Sequence, residues 1–183
     1  MNIRAAAMED IEGVLALQEL NLVTNLPEEQ KKEGFVTTPL SYGQVEELVT
    51  IHGLAVIEKE KKILGYVVAA GWNYFKGRPM FDYMLERFQR ITYRGIPITV
   101  ENSYEYGPVC IDTSLRGTDS FPRLFEKSRE MMAPDYAIGT TFINKVNRRS
   151  VEAHTRKVHI DLIDEFQFNG NDYYGLAFLT GRN

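Results

Sequence analysis

Apolar residues recur along this chain with two different spacings, and the changes between them lay out a fold. Ile11, Val14, Leu15, Gln18 and Leu22 follow the three-and-four spacing of one helix face, which predicts a helix over 8–22 after a short strand over 3–6. Glu9 and Asp10 sit in its first turn, where the helix dipole favours acids. Periodicity is weak over 21–39, which reads as loop with a broken helix. A second helix is predicted over 41–52. Ser41 and Gln44 form a capping box there, and Val45, Leu48 and Val49 supply the apolar face. Two apolar runs follow, over 54–58 and 63–70. They predict an antiparallel hairpin around a charged turn at 59–62.

Residues 72–97 break this rhythm. Met80, Tyr83, Met84, Arg87 and Phe88 predict a short helix bounded upstream by Gly77 and Pro79, and 91–93 a small strand before the Arg94-Gly95 turn. A longer strand is predicted over 102–111, bulged at Gly107-Pro108 because proline cannot donate to a ladder. Helices over 122–132 and 150–157 flank a strand over 136–143. Strands over 160–168 and 172–179 are joined by Asn169-Gly170-Asn171, a strong hairpin signal. The order βααββ, insertion, βαβαββ is mixed α/β, and 183 residues without a credible linker predict one domain.

Composition narrows the function classes. A net charge of −4 argues against a sequence-independent nucleic-acid binder, so no nucleic-acid partner is expected. The longest apolar run, 63–70, is far too short to span a bilayer, so no membrane association is expected. The start, MNIRAAAMED, has no apolar signal region. A single cysteine, Cys110, cannot form an internal disulfide, and a cytoplasmic location fits.

The most informative stretch is TSLRGTDSFPRLFE, residues 113–126. It follows the apolar Val109-Cys110-Ile111 and opens into a helix-like run. A strand, a Gly-bearing turn with an Arg and then a helix is a common way to bind phosphate. Backbone N–H groups, the helix dipole and a guanidinium can all converge there.

Three segments carry a family resemblance: IRAAAMEDIEGVLAL at the start, VCIDTSLRGTDS in the middle, and NRRSVEAHTRK from Asn147 to Lys157. Together with the element order they resemble the GNAT superfamily of acyl-CoA-dependent N-acyltransferases. The resemblance implies a central, mostly antiparallel twisted sheet flanked by helices, with the 72–97 insertion between the third and fourth strands. It implies acetyl-CoA, or another short acyl-CoA, as acyl donor, and direct attack by an amine in a ternary complex without a metal. The middle segment is similar to the pyrophosphate loop Arg/Gln-x-x-Gly-x-Gly/Ala, with two departures. Asp119 and Phe121 stand where glycines are usual. A carboxylate 4 Å from a phosphate charge is repulsive by about 1 kcal/mol in bulk water. Asp119 or Ser120 could also cap the helix and occupy N–H groups a phosphate needs. The loop is therefore degenerate. Val158-His159 likewise replaces the Gly-Phe that usually closes the third pattern.

The resemblance places candidate residues. Val109, Cys110 and Ile111 would offer backbone groups to the pantetheine arm, or form a buried strand with no ligand. Arg116, Gly117, Thr118, Asp119 and Ser120 would form the phosphate cradle, or a Gly turn with a surface Arg. Asn147 would contact the donor, or cap the following helix; Ser150 has the same capping alternative. His154 falls where the family often has a Tyr acting as general acid. It would act in proton transfer or bond the CoA sulfur, or be a surface or core histidine. Glu105 is the candidate base, with Glu101 behind it. On strict alternation both share a face with Ser103 and Gly107, and the alternative is an ordinary solvated Glu. Cys110 as nucleophile has no His close in sequence. His154 and His159 lack partners at metal spacing, so no metal site is expected. The aromatic insertion reads as a lid over an amine, as a helix packed on the sheet, or as a homodimer contact. A small-molecule amine is the first expectation for the acceptor. The rival reading is a GNAT-fold binding or regulatory module without catalysis. A third keeps the transfer chemistry with a carrier-bound acyl donor.

Overall fold

The computed structural model describes residues 1–27, 36 and 39–181. Most of the weakly periodic segment over 21–39 thus lies outside the described residues. Strands run β1 (Asn2–Ala5), β2 (Leu54–Lys59), β3 (Lys62–Gly71), β4 (Thr92–Tyr93), β5 (Ile96–Pro97), β6 (Ser103–Ile111), β7 (Ile138–Asn144), β8 (Asp161–Phe168) and β9 (Asn171–Leu179). Helices are α1 (Ile11–Asn21), α2 (Tyr42–Thr50), α3 (Trp72–Phe75), α4 (Pro79–Phe88), α5 (Ser120–Met132) and α6 (Arg148–Glu152). Seven strands form one mostly antiparallel sheet in the order β1-β2-β3-β6-β7-β9-β8, and β4 pairs with β5 alone. The mixed α/β class expected from the residue pattern is the class observed. The chain divides into two compact units, Met1–Ala69 with Gly107–Met131, and Ala70–Tyr106 with Met132–Asn183. Strand β6 contributes its first half to the second unit and its second half to the first.

In the first unit, β2 pairs antiparallel with β1 and β3, in the register Ile3↔Ile57 and Ala55↔Val67. The predicted helix over 8–22 begins as a 3-10 turn at Met8–Asp10 and continues as α1. Its buried face is Ile11, Val14, Leu17 and Gln18, so Leu17 takes the place expected for Leu15, which is half-buried. Burial of Gln18 is offset by a paired amide. Its Nε2 donates to Leu40 O at 3.0 Å, and Leu40 N donates to its Oε1 at 2.8 Å. The capping box of α2 forms as predicted, with Ser41 accepting from Gln44 N and Gln44 Oε1 accepting from Ser41 N. Arg4 clasps the buried Asp10 through two bonds of 2.6 and 2.9 Å, and this guanidinium holds the Asp10 carboxyl below its usual range.

In the second unit the insertion is a packed layer. Met84 and Phe88 of α4 bury with Trp72, Tyr93, Ile98, Ile138, Phe166 and Ala177. A β-carbon at Gly175 would lie 2.8 Å from the Phe88 ring, so only glycine lets that ring seat against β9. Arg87 ties α4 to β8 through paired bonds of 2.7 and 2.8 Å to Asp164. Trp72 Nε1 donates to Ser103 Oγ at 3.0 Å. Of the alternatives for the aromatic residues, helix-on-sheet packing is the one these contacts describe.

Candidate functional site

The predicted phosphate segment lies in the first unit. Cys110 faces inward with its Sγ 4.0 Å from Leu17 O, while Val109 and Ile111 are half-buried. Burial pushes the Cys110 thiol up to about 12, so it stays protonated and un-nucleophilic near neutral pH. Asp112 N donates to Leu64 O at 2.8 Å, which extends the pairing of β6 toward β3. The chain then makes a 3-10 turn at Thr113–Leu115, capped by the Asp112 carboxylate, which accepts from Ser114 N at 2.9 Å and Ser114 Oγ at 2.7 Å. Those bonds, with Lys62 and Arg116 nearby, hold Asp112 below the usual carboxylate range.

Arg116 follows in extended conformation, and Gly117 then turns with φ +80° and open space where a side chain would stand. That conformation suits glycine and strains other residues. Asp119 has no such requirement, since its φ is not positive, so its departure from glycine costs no backbone strain. The carboxylate is 72% exposed, and its Oδ2 lies 3.9 Å from Nη1 of Arg123, one turn along α5. Capping falls to neither residue proposed for it. Thr118 Oγ1 accepts from Ser120 N at 3.2 Å, and Ser120 Oγ lies 2.8 Å from that same oxygen. Arg123 N donates to Asp119 O at 3.1 Å, and Pro122 has no N–H. The Arg123 bond is the first regular i→i−4 bond of α5, so the first-turn donors withdrawn from a ligand are the Ser120 N–H, bonded to Thr118, and the one Pro122 lacks.

Asn147, Ser150, His154 and Glu105 lie in the second unit. Asn147 caps α6, its Oδ1 accepting from Ser150 N at 3.2 Å. After α6 the helix widens into a π turn over Ala153–Lys157, a local form often found at functional sites. His154 sits in that turn, 6% exposed. Its Nδ1 is 2.7 Å from Ser150 O. A carbonyl can only accept, so Nδ1 carries the proton and Nε2 carries the lone pair. Burial pushes the imidazole down to about 4, which keeps it neutral at pH 7. Its ring meets Tyr106 edge-on at 5.7 Å.

Glu105 departs most from expectation. It is 1% exposed rather than solvated, and Thr140 Oγ1 is 3.1 Å from its Oε2. Burial raises it well above the ordinary carboxyl range. Glu101 is exposed in the turn before β6, so it does not sit behind Glu105 on the strand. The parallel ladder of β6 with β7 covers Ser103↔Ile138, Tyr104↔Gly139 and Glu105↔Thr140. Just beyond it come Gly107 at φ +118° and Pro108, which cannot donate. Sequence reasoning missed Thr140 and Arg123. Thr140 had a legible signal, as a polar residue inside the apolar strand IGTTFIN.

Among the described residues no group of three or more His, Cys, Asp or Glu is placed to hold a metal ion, and no helix is long and apolar enough to cross a membrane. No protein-family model matches the sequence, and no curated protein matches it. Solved structures do match over nearly the whole chain. An N-acetyltransferase from Staphylococcus aureus Mu50 is similar at TM-score 0.62 and 17% identity, covering 98% of each chain. A GNAT-family acetyltransferase from Streptococcus pneumoniae reaches TM-score 0.64 at 12% identity, covering 98% of this chain and 99% of its own. The putative acetyltransferase yncA from Salmonella typhimurium, solved with acetyl-CoA, reaches 0.61 at 13%, covering 100% and 95%. Identities this low speak to fold, and on that evidence the chain has the fold of the GNAT N-acetyltransferases.

Proposed function

We infer that the chain is an N-acyltransferase that moves an acetyl or other short acyl group from acyl-CoA to an amine, with a small-molecule amine as acceptor. The observation that carries this reading is the 109–123 segment on this fold: strand, Arg116, the Gly117 turn and α5 in succession. Its expected partner is the donor pyrophosphate. Because the Ser120 N–H is bonded within the loop and Pro122 has none, the Arg116 guanidinium carries more of that binding than the helix terminus does. Backbone groups of Val109, Cys110 and Ile111 would align the pantetheine arm.

In the reaction the amine nitrogen bonds to the acyl carbon while the C–S bond breaks. The amine loses a proton and the sulfur gains one. A neutral His154 with its proton on Nδ1 offers a lone pair at Nε2, so it accepts a hydrogen bond or proton rather than acting as the acid. Proximity of donor and acceptor supplies much of the rate without a covalent enzyme intermediate.

A second reading, a GNAT-fold binding module without catalysis, draws on the exposed Asp119 carboxylate and on the internally bonded first turn of α5. The test is release of free CoA from acetyl-CoA across a panel of primary amines. The transferase reading expects amine-dependent release that falls in Arg116→Ala. Release at the rate of uncatalysed hydrolysis with every amine would favour the module.

A further inference from the structure

Hydrogens can be counted at one buried point of the second unit. Thr140 Oγ1 lies 2.8 Å from the Tyr104 carbonyl oxygen and 3.1 Å from Glu105 Oε2. A threonine hydroxyl has one hydrogen and two lone pairs, and a carbonyl oxygen can only accept. The shorter contact, to Tyr104, therefore uses the threonine hydrogen. The contact to Glu105 then needs a hydrogen from the other side. A carboxylate has none, and a carboxylic acid has one.

We propose that Glu105 rests as a neutral carboxylic acid whose proton points at Thr140 Oγ1, with Thr140 as the positioning residue that holds it. The surroundings agree. Glu105 and Thr140 are 1% and 0% exposed. They form the last described pair of the β6–β7 ladder, so the acid reaches across to the neighbouring strand. Burial is the larger influence on the carboxyl and raises it, the Thr140 contact acts the other way and is smaller, and no charged side chain is among the influences. An ionised carboxylate taken out of water without a cation is strongly disfavoured. The neutral form leaves one donor and one acceptor matched.

A consequence for chemistry rests on the transferase reading, whereas the protonation does not. A neutral acid donates and cannot accept. Glu105 would therefore become the base for an ammonium acceptor only after giving up the proton it donates to Thr140.

Infrared spectroscopy of the full chain at pH 7 tests the proposal without any assay of activity. The difference spectrum of wild type minus Glu105→Gln should contain the carbonyl stretch of a protonated carboxylic acid. Glutamine can still donate to Thr140, so this variant keeps the packing. In Thr140→Val the band should move to higher wavenumber, as for an acid without an acceptor, and in Thr140→Ser it should return toward the wild-type position. Absence of a protonated-acid band from the Glu105→Gln difference overturns the proposal by itself. A band that Thr140→Val leaves in place overturns the positioning role of Thr140. If Thr140→Val does not fold, the Glu105→Gln difference still decides the protonation. Absence of acyl transfer with the band present would sink the transferase reading and leave the neutral acid standing.

Discussion

Arg116→Ala is expected to weaken acetyl-CoA binding roughly tenfold to a hundredfold, the range of a lost charged hydrogen bond at about 1.5–3 kcal/mol. Several observations set that size. Arg116 follows the capped 3-10 turn directly, and Gly117 opens space beside it. The first turn of α5 has spent its Ser120 N–H within the loop and has a proline at Pro122, so fewer backbone donors stand in for a lost guanidinium. Asp119→Gly should act in the opposite direction, leaving affinity unchanged or tightening it. Its carboxylate is exposed and partly offset by Arg123, so the gain is small beside the Arg116 loss. Calorimetric titration of both variants with acetyl-CoA at fixed salt measures the two effects. If neither change moves the affinity, 113–123 is an ordinary surface turn.

The second large effect is on stability in acid. His154 ordinarily titrates near 6.5, and in the fold it is held down to about 4 by burial. Below pH 6.5 the unfolded chain therefore takes up a proton that the folded chain refuses. The unfolded state binds more protons, so stability falls as pH falls, and the loss is complete below about 4. The full term is about 3 kcal/mol, of which roughly 2 kcal/mol has appeared by pH 5. Urea denaturation of wild type and His154→Phe at pH 7 and pH 5 isolates it, since the terms from Asp10, Asp112 and Asp161 (the last held below the usual carboxylate range by the Tyr93 hydroxyl and Arg94) are shared by both proteins. Wild type should lose roughly 2 kcal/mol more between the two pH values than the variant does. Equal losses would mean that His154 is hydrated and titrates normally. Glu105 has the opposite sign: a raised carboxyl costs stability as pH rises above the ordinary carboxyl range.

Much of the fold was legible because its signals are local. The Ser41–Gln44 capping box, the charged turn of the β2–β3 hairpin and the Asn169-Gly170 turn each declare themselves within a few residues, and each forms. Boundaries moved by one or two residues, as at α5, which starts at Ser120 rather than Pro122. Leu17 displaced Leu15 on α1 because facing depends on where the 3-10 turn hands over to the helix.

The chemistry was less legible, because it depends on partners distant in sequence. Nothing near Glu105 announces that Thr140, thirty-five positions away, stands beside it in a dry layer. A glutamate in a strand is ordinarily solvated, and that expectation failed here because Glu105 sits in a ladder pair with Thr140 that is itself fully buried. For His154 the sequence showed a titratable residue in the right pattern. The proton position came only from the 2.7 Å approach of Nδ1 to the Ser150 carbonyl. Asp119 was visible as a departure. Its compensation by Arg123 needed the helix geometry that puts residues four apart on one side.

The most direct test of the donor assignment is calorimetric titration of the wild-type chain with acetyl-CoA and with free CoA. The account predicts saturable binding of both in the micromolar range, despite Asp119. No heat of binding from either at millimolar ligand would contradict it, and would leave the GNAT fold of this chain serving something other than acyl-CoA.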